Sequence, residues 1–431
     1  VHIYVEELLV NFFVQRKHFH SFIETKIHMR TFTQNFACLL IFSLMLYSCS
    51  KTGVNNPLAA SGTTSVTPHH YGLLPVSDED LQNVPLFTPD IFNGERTTLG
   101  LSYSGKLPSS YLLTTPAIRD QGQVGSCTGF CGTETNEILK YYSGGGSVPA
   151  QTGLTVATGI SAIVSNKFSS PTSFFGATGA LAPLFLYYVE RVLIEKSSIT
   201  SDPGANMVNI GEALQGLSTN TGSGKTLADK GECTEDLYPY PSQLNAQGYN
   251  IAGPTSAQYK TAPSSAAISN AAGFVIAKQG GSTSSSGSTT AGYYLISSTG
   301  DTTEVKNVKY AILNNKPVMM GFNVYDNSSY TIFEGLNTSS YIYNPLVAQT
   351  SRGTTSYVLN RKLSLLGGHA VPLVGYVDDG TASTSATGGG YFIVQNSWGT
   401  PWGYYGHFYL PYSVLRNASV VSNGSLYVMV Q

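Results

Sequence analysis

Helical spacing of apolar residues dominates the first half of this chain, and strand-like runs dominate the second. After Cys127 a helical pattern passes through Phe130, Ile138 and Leu139 to Tyr142. Residues 147–175 read as loop, with an apolar interlude at Val156 to Val164. Ala182 to Lys196 predicts a second helix with Pro183 in its first turn, where a missing N–H costs nothing. Further helices are predicted over Asn206 to Leu217 and Glu304 to Asn314, with Cys233 to Tyr240 closing the first half. Runs rich in Val, Ile and aromatics then predict strands at Val318 to Tyr325, His369 to Val377, Tyr391 to Gln395, His407 to Leu410 and Ser425 to Val430. Helices first and strands later argue for an α+β protein with two lobes, not a doubly wound parallel sheet.

The flanks read differently. Residues 50–106 are polar, punctuated by Pro and Gly, and weakly periodic, which suits a tether or short pro-segment ahead of a body that opens at Leu107-Pro108. Within the body, 243–303 holds a Gly/Ser/Thr-rich run expected to be a surface insertion. It separates a mainly helical lobe (107–242) from a mainly strand-built lobe (304–431). Nearer the N-terminus, Phe36 to Tyr47 is apolar but shorter than the roughly 20 residues a membrane span needs. It fits the centre of a secretory signal over 29–49, behind Met29-Arg30. Its Leu46-Tyr47-Ser48-Cys49 ending resembles a bacterial lipobox, which implies lipidation of Cys49 and an exported, cell-envelope lipoprotein. Residues 1–28 precede that start and are expected to be mis-annotated upstream sequence.

Net charge is −2, and only 11% of the 431 residues are charged, so nothing favours nucleic acid or an anionic membrane surface as partner. Membrane contact is expected only through the lipid anchor, and the protein is expected to act as a monomer. Of five cysteines, Cys38 falls in the signal and Cys49 at its end. Cys127, Cys131 and Cys233 remain in the body, an odd number that flags a reactive thiol. Cys131 is read as a buried small residue or as a partner for Cys233. Of eight histidines only His369 and His407 belong to the body; His69 and His70 fall in the tether.

A thiol nucleophile needs a helix N-terminus, a base, a group that orients the base, and donors for an oxyanion. Gln121-Gly122-Gln123-Val124-Gly125-Ser126-Cys127 places a cysteine at the start of a helical pattern, where the helix dipole favours a thiolate. The Gln121 amide can reach the same point and donate to an oxyanion with the Cys127 N–H. His369 follows Gly367-Gly368, which leave room for substrate beside the ring, whereas His407 stands among aromatics as a packing residue. Asn396, in Gln395-Asn396-Ser397-Trp398-Gly399, supplies a carbonyl that fixes the imidazole, and Trp398 shields that contact from water. Asp120 is read as a loop hydrogen-bonder. The body shows no metal-ligand spacing, and Gly222 to Lys225 lacks the rest of a phosphate loop, so no metal and no cofactor is expected.

With these residues in this order the sequence resembles the papain-like (C1) cysteine peptidases. The resemblance runs from about Leu107 to the C-terminus. It implies Cys127 as nucleophile, His369 as base, Asn396 as orienter and Gln121 in the oxyanion hole, in a cleft between a helical left lobe and a β-rich, barrel-like right lobe. It implies a peptide or protein substrate, with Gly204, Ala205 and Gly368 in contact with the substrate backbone. Val124 replaces the cysteine of the C-G-[SA]-C-[WY] signature and Thr128 its aromatic. His369 and Asn396 also lie much farther downstream than the usual roughly 130–150 residues. These departures point to a divergent bacterial branch. Three activities follow: an endopeptidase working through a Cys127 thioester, a papain-fold binding or adhesion module, and a thiol amidase or transpeptidase on a non-protein substrate.

Overall fold

The computed structural model describes residues 69–82, 84–92, 103–147, 154–165, 167–168, 179–214, 230–246, 248–276, 292–327, 332–336 and 340–430. Their helices are α1 (Asp78–Gln82), α2 (Cys127–Ser143), α3 (Val156–Ser165), α4 (Pro183–Tyr188), α5 (Met207–Leu214), α6 (Ser265–Ala271), α7 (Thr302–Leu313) and α8 (Tyr412–Leu415). The strands are β1 (Ser110–Leu112), β2 (Gly292–Leu295), β3 (Val318–Asp326), β4 (Leu346–Ser351), β5 (Thr354–Leu359), β6 (Ser364–Asp378), β7 (Gly390–Gln395), β8 (His407–Pro411) and β9 (Leu426–Val430).

The helical lobe is organised by α2, which is buried from Cys127 through Leu139. It lies unusually close to its neighbours because two of its residues lack side chains. A Cβ at Gly129 would stand 2.7 Å from the Pro183 carbonyl oxygen, and one at Gly132 would stand 2.6 Å from Leu186. After α4 the chain widens into a π turn over Val189–Ile194. The buried Arg191 guanidinium fastens this turn by donating to the carbonyls of Ile199, Ser201 and Tyr259.

The other lobe is an antiparallel sheet ordered β2-β9-β3-β6-β7-β8, with β1 added alongside β6, and a separate β4-β5 hairpin. Its long central strand β6 pairs with β3 in a register that sets His369 opposite Phe322. Strand β7 pairs with β8 through Gln395 opposite His407, so the chain leaves the sheet at Asn396. The core of this lobe is aromatic: Phe322, Phe333, Tyr343, Trp402 and Phe408 pack in one cluster beneath His369.

The α+β class and the two lobes therefore stand as expected, but the described sheet has free ends and does not close into a barrel. Several segments differ from expectation. Val156–Ser165 is a helix, because Gly159 packs against Val377 and the Tyr409 hydroxyl accepts the Ile160 N–H. The expected insertion at 243–303 is largely integral. Asn250 and Ala252 brace the loop before Cys127, and Gly292–Leu295 is strand β2 on the main sheet. Gln247 and 277–291 of that run lie outside the described residues. Residues 69–92 do not stand free of the body as a tether would: Leu74 bonds Ala205, and Phe87 and Leu295 bond across a short bridge. The expectations for 1–28, 29–49 and Cys49 lie outside the described residues, as does the Gly222 to Lys225 segment. No described helix is long and apolar enough to cross a membrane.

Candidate active site

Cys127 is the first residue of α2 and is fully buried. Burial pushes its thiol up to about 12, against the N–H groups of Gly72, Ala370 and Thr128, which act in the opposite direction. Across the cleft, His369 Nε2 lies 2.7 Å from Asn396 Oδ1. Asn396 Oδ1 also accepts the Ser397 N–H, which holds the amide with its oxygen toward the ring. Since the Asn oxygen only accepts, Nε2 carries the proton and Nδ1 is left as the basic nitrogen. Among the described residues Nδ1 has no hydrogen-bond partner. Trp398 covers the pair, with its ring 5.1 Å from that of His369. Burial pushes His369 down to about 4, against the Asn396 bond. Burial thus disfavours the charged form of both groups.

The Gln121 amide is fixed from behind. Ser397 Oγ donates to Gln121 Oε1 at 2.7 Å, so the amide must turn its Nε2 toward the cleft. There Nε2 donates to the carbonyls of Val124 (3.0 Å) and His70 (3.1 Å). Asp120 holds the loop, as expected, by accepting the N–H groups of Gly122 and Asn250.

The His70 carbonyl belongs to a strap, residues 69–74, that runs through the cleft. Leu73 bridges Ala205 in parallel: Ala205 N–H donates to Gly72 O and Leu74 N–H to Ala205 O, both at 2.9 Å. Leu73 N–H donates to Gly368 O at 3.1 Å. Gly204, at φ +85°, lets the strap approach, for a Cβ there would stand 2.0 Å from Gly72 O. All three residues expected to contact substrate backbone thus contact the strap. Gly72 passes over Cys127, and any side chain on it would clash, since its Cβ would fall 1.8 Å from Gly125 O. Beyond it, Tyr71 stands edge-on to Trp398 and His369, and His69 stacks on Trp398 with centroids 4.3 Å apart. The His70 ring meets Asp202 at 3.0 Å, and Asp202 also accepts Gly125 N–H and the Tyr187 hydroxyl.

Other polar residues near the site escaped sequence reading. Thr128 donates to Glu190 at 2.6 Å beneath Cys127, a polar pair where the signature has an aromatic. His407 is structural, as expected, but it also meets Lys167 Nζ at 2.9 Å, and Lys167 donates to Thr115 and Gln395. Burial pushes Lys167 down to about 7. No local signal marks it. Cys131 and Cys233 are free and buried, so they do not pair with each other. Among the described residues no group of three metal-ligating side chains comes together.

Residues 224–428 match the family model described as papain family cysteine protease. The match contains His369 and Asn396 and begins after Gln121 and Cys127. The chain is 26% identical over 243 residues to an uncharacterized peptidase C1-like protein of Acanthamoeba polyphaga mimivirus, and it spans 56% of that relative's length. Its fold is similar to that of xylellain, a cysteine protease from Xylella fastidiosa, with a TM-score of 0.51 and 20% identity. That likeness covers 86% of this chain and 100% of the other. Digestive procathepsin L2 proteinase of Tenebrio molitor also aligns, at a TM-score of 0.44 and 16% identity over 84% of this chain and 78% of that one.

Proposed function

From the match of residues 224–428 to the papain family cysteine protease model, we propose that the chain is a papain-like cysteine endopeptidase held closed by its own residues 69–74. The observation that carries this reading is the His369–Asn396 hydrogen bond beneath Trp398, with Nδ1 left basic, and the Ala370 N–H directed at the Cys127 sulfur. In turnover Cys127 gives its proton to His369 and attacks the substrate carbonyl. The Gln121 amide and the Cys127 N–H take up the oxyanion charge. His369 then protonates the leaving amine, and water, deprotonated by the same ring, hydrolyses the thioester.

In the closed state the strap takes the groups substrate would use: Ala205, Gly368 and Gln121 Nε2. By keeping water away it disfavours the charged form of both thiol and imidazole, while its Gly72 N–H acts on the thiol in the opposite direction. The short pro-segment reading of 50–106 is therefore preferred to a tether. The export and lipid anchor rest on Phe36 to Tyr47 and Cys49; Cys49→Ser should move the chain out of the membrane fraction, and no redistribution would reject the anchor.

The test is labelling of the full chain by an epoxide thiol inhibitor, with Gly72→Ala to expel the strap and Cys127→Ala as control. Gly72→Ala should label at Cys127 and cleave denatured protein, and wild type should do so far more slowly. Labelling with no cleavage of any peptide or protein would reject the peptidase in favour of a binding module or other thiol chemistry.

A further inference from the structure

The strap shows which side chain the cleft accepts next to His369. Tyr71 precedes Gly72, whose N–H meets the Cys127 sulfur, and its ring centroid is 5.7 Å from that of Trp398 and 6.2 Å from that of His369. Its phenol donates to Glu334 Oε1 at 3.1 Å. Gly367 keeps the wall open, since a Cβ there would stand 2.6 Å from the Tyr71 Cβ. We propose that Glu334 selects the residue on the amine side of the scissile bond, preferring a cationic or hydrogen-bond-donating side chain: arginine or lysine first, tyrosine next. This rests on the peptidase reading above.

Two arguments fix the position and the preference. A leaving amine must take its proton from His369, so the residue that begins with that amine lies beside the imidazole. Tyr71 occupies that place. Glu334 is also rigidly presented, because its own N–H and those of Ile332 and Phe333 all donate to the Asp326 carboxylate. Of the charged groups acting on Glu334, Asp326 is acidic and His69 is the base. His69 belongs to the strap and leaves with it. What remains is an aromatic wall with a carboxylate at its end, which favours donors and repels carboxylates.

The experiment uses the full chain carrying Gly72→Ala and a peptide series varied only after the scissile bond. Arginine or lysine should exceed glutamate by about tenfold or more in kcat/KM, and tyrosine should exceed phenylalanine by about fivefold, the size of one neutral hydrogen bond. Glu334→Gln should keep the Tyr/Phe ratio and collapse the Arg/Glu ratio; Glu334→Leu should bring both near one. A second readout needs no turnover. In the chain with Gly72 intact, alkylation of Cys127, located by mass spectrometry, should be slow with Tyr71 or Tyr71→Arg, faster with Tyr71→Phe and fastest with Tyr71→Glu. Glu334→Leu should erase that order. Cleavage without preference, or an alkylation order indifferent to Glu334, overturns the proposal and leaves the peptidase reading standing. No cleavage with the alkylation order intact overturns the peptidase reading and leaves the pocket's selectivity standing.

Discussion

On one side of the cleft, Cys127 rides on a helix that carries Glu134 and Glu137 into the interior, with Glu190 and Glu232 packed beside it. On the other, His369 sits on a sheet above Phe322, Phe333 and Trp398. Around His369 the sheet wall is held mainly by strand register and ring packing, which do not titrate. The helical wall is held by hydrogen bonds among buried ionisable groups: Arg119 to Glu137, Thr133 and Asn136 to Glu232, Thr128 to Glu190. Thus Cys127 rests on the wall held by buried ionisable groups and His369 on the wall held mainly by packing.

The sharpest way to break this contrast is Glu137→Leu. It strands the buried Arg119 charge and the Leu181 N–H together, so it should cost about 3–5 kcal/mol or more, read by urea unfolding. A loss under 1 kcal/mol would mean the helical wall is not held this way. In the other wall Phe333→Ala should cost about 3–4 kcal/mol through the cavity left among Phe322, Tyr343, Trp402 and Phe408, with no dependence on pH. A pH-dependent loss there would contradict the division.

The third test is titration. Burial pushes Glu134 and Glu232 up to about 8, from 4.5. A carboxyl raised in the fold binds its proton more tightly there than in the unfolded chain. Its contribution is therefore complete below pH 4.5 and is lost as pH rises toward 8, at up to about 1.4 kcal/mol per pH unit for each group. Thermal melting should fall across that window, and Glu134→Gln with Glu232→Gln should flatten the slope; an unchanged slope would assign it elsewhere. The smallest effect concerns the strap. Asp202 raises the His70 pKa, so this contact is fully present below about pH 6.5 and weakens as pH rises through the raised value. Cys127 labelling should accelerate severalfold over that rise in wild type, and less in His70→Ala.

The candidate site residues were legible because each sits in a short motif whose residue types are dictated by the chemistry proposed for it: a cysteine at a helix start, glycines before His369, Asn-Ser-Trp-Gly after β7. Elements buried on a regular period were legible too, as with β3 and α7. The strap was not. His69 to Leu74 has no period, and its partners Ala205, Gly368 and Gln121 are set by loops far along the chain. Its one local hint is Gly72, a small residue between Tyr71 and Leu73. The β4-β5 hairpin was missed because its strands are almost wholly exposed and carry no burial signal. Lys167 and Glu190 were missed because a buried charge is recognisable only from what surrounds it.

The covalent continuity of the strap with the rest of the chain has a consequence of its own. Docking is unimolecular, so the cleft sees its occupant at an effective concentration on the order of millimolar for a short linker, however dilute the protein. A modest local fit then suffices to keep the cleft filled. A single cut between the strap and β1 turns the same contact into a bimolecular one, and dilution alone empties the cleft. In the proposed closed state, closure is the product of local fit and that effective concentration, and a cut removes the second factor.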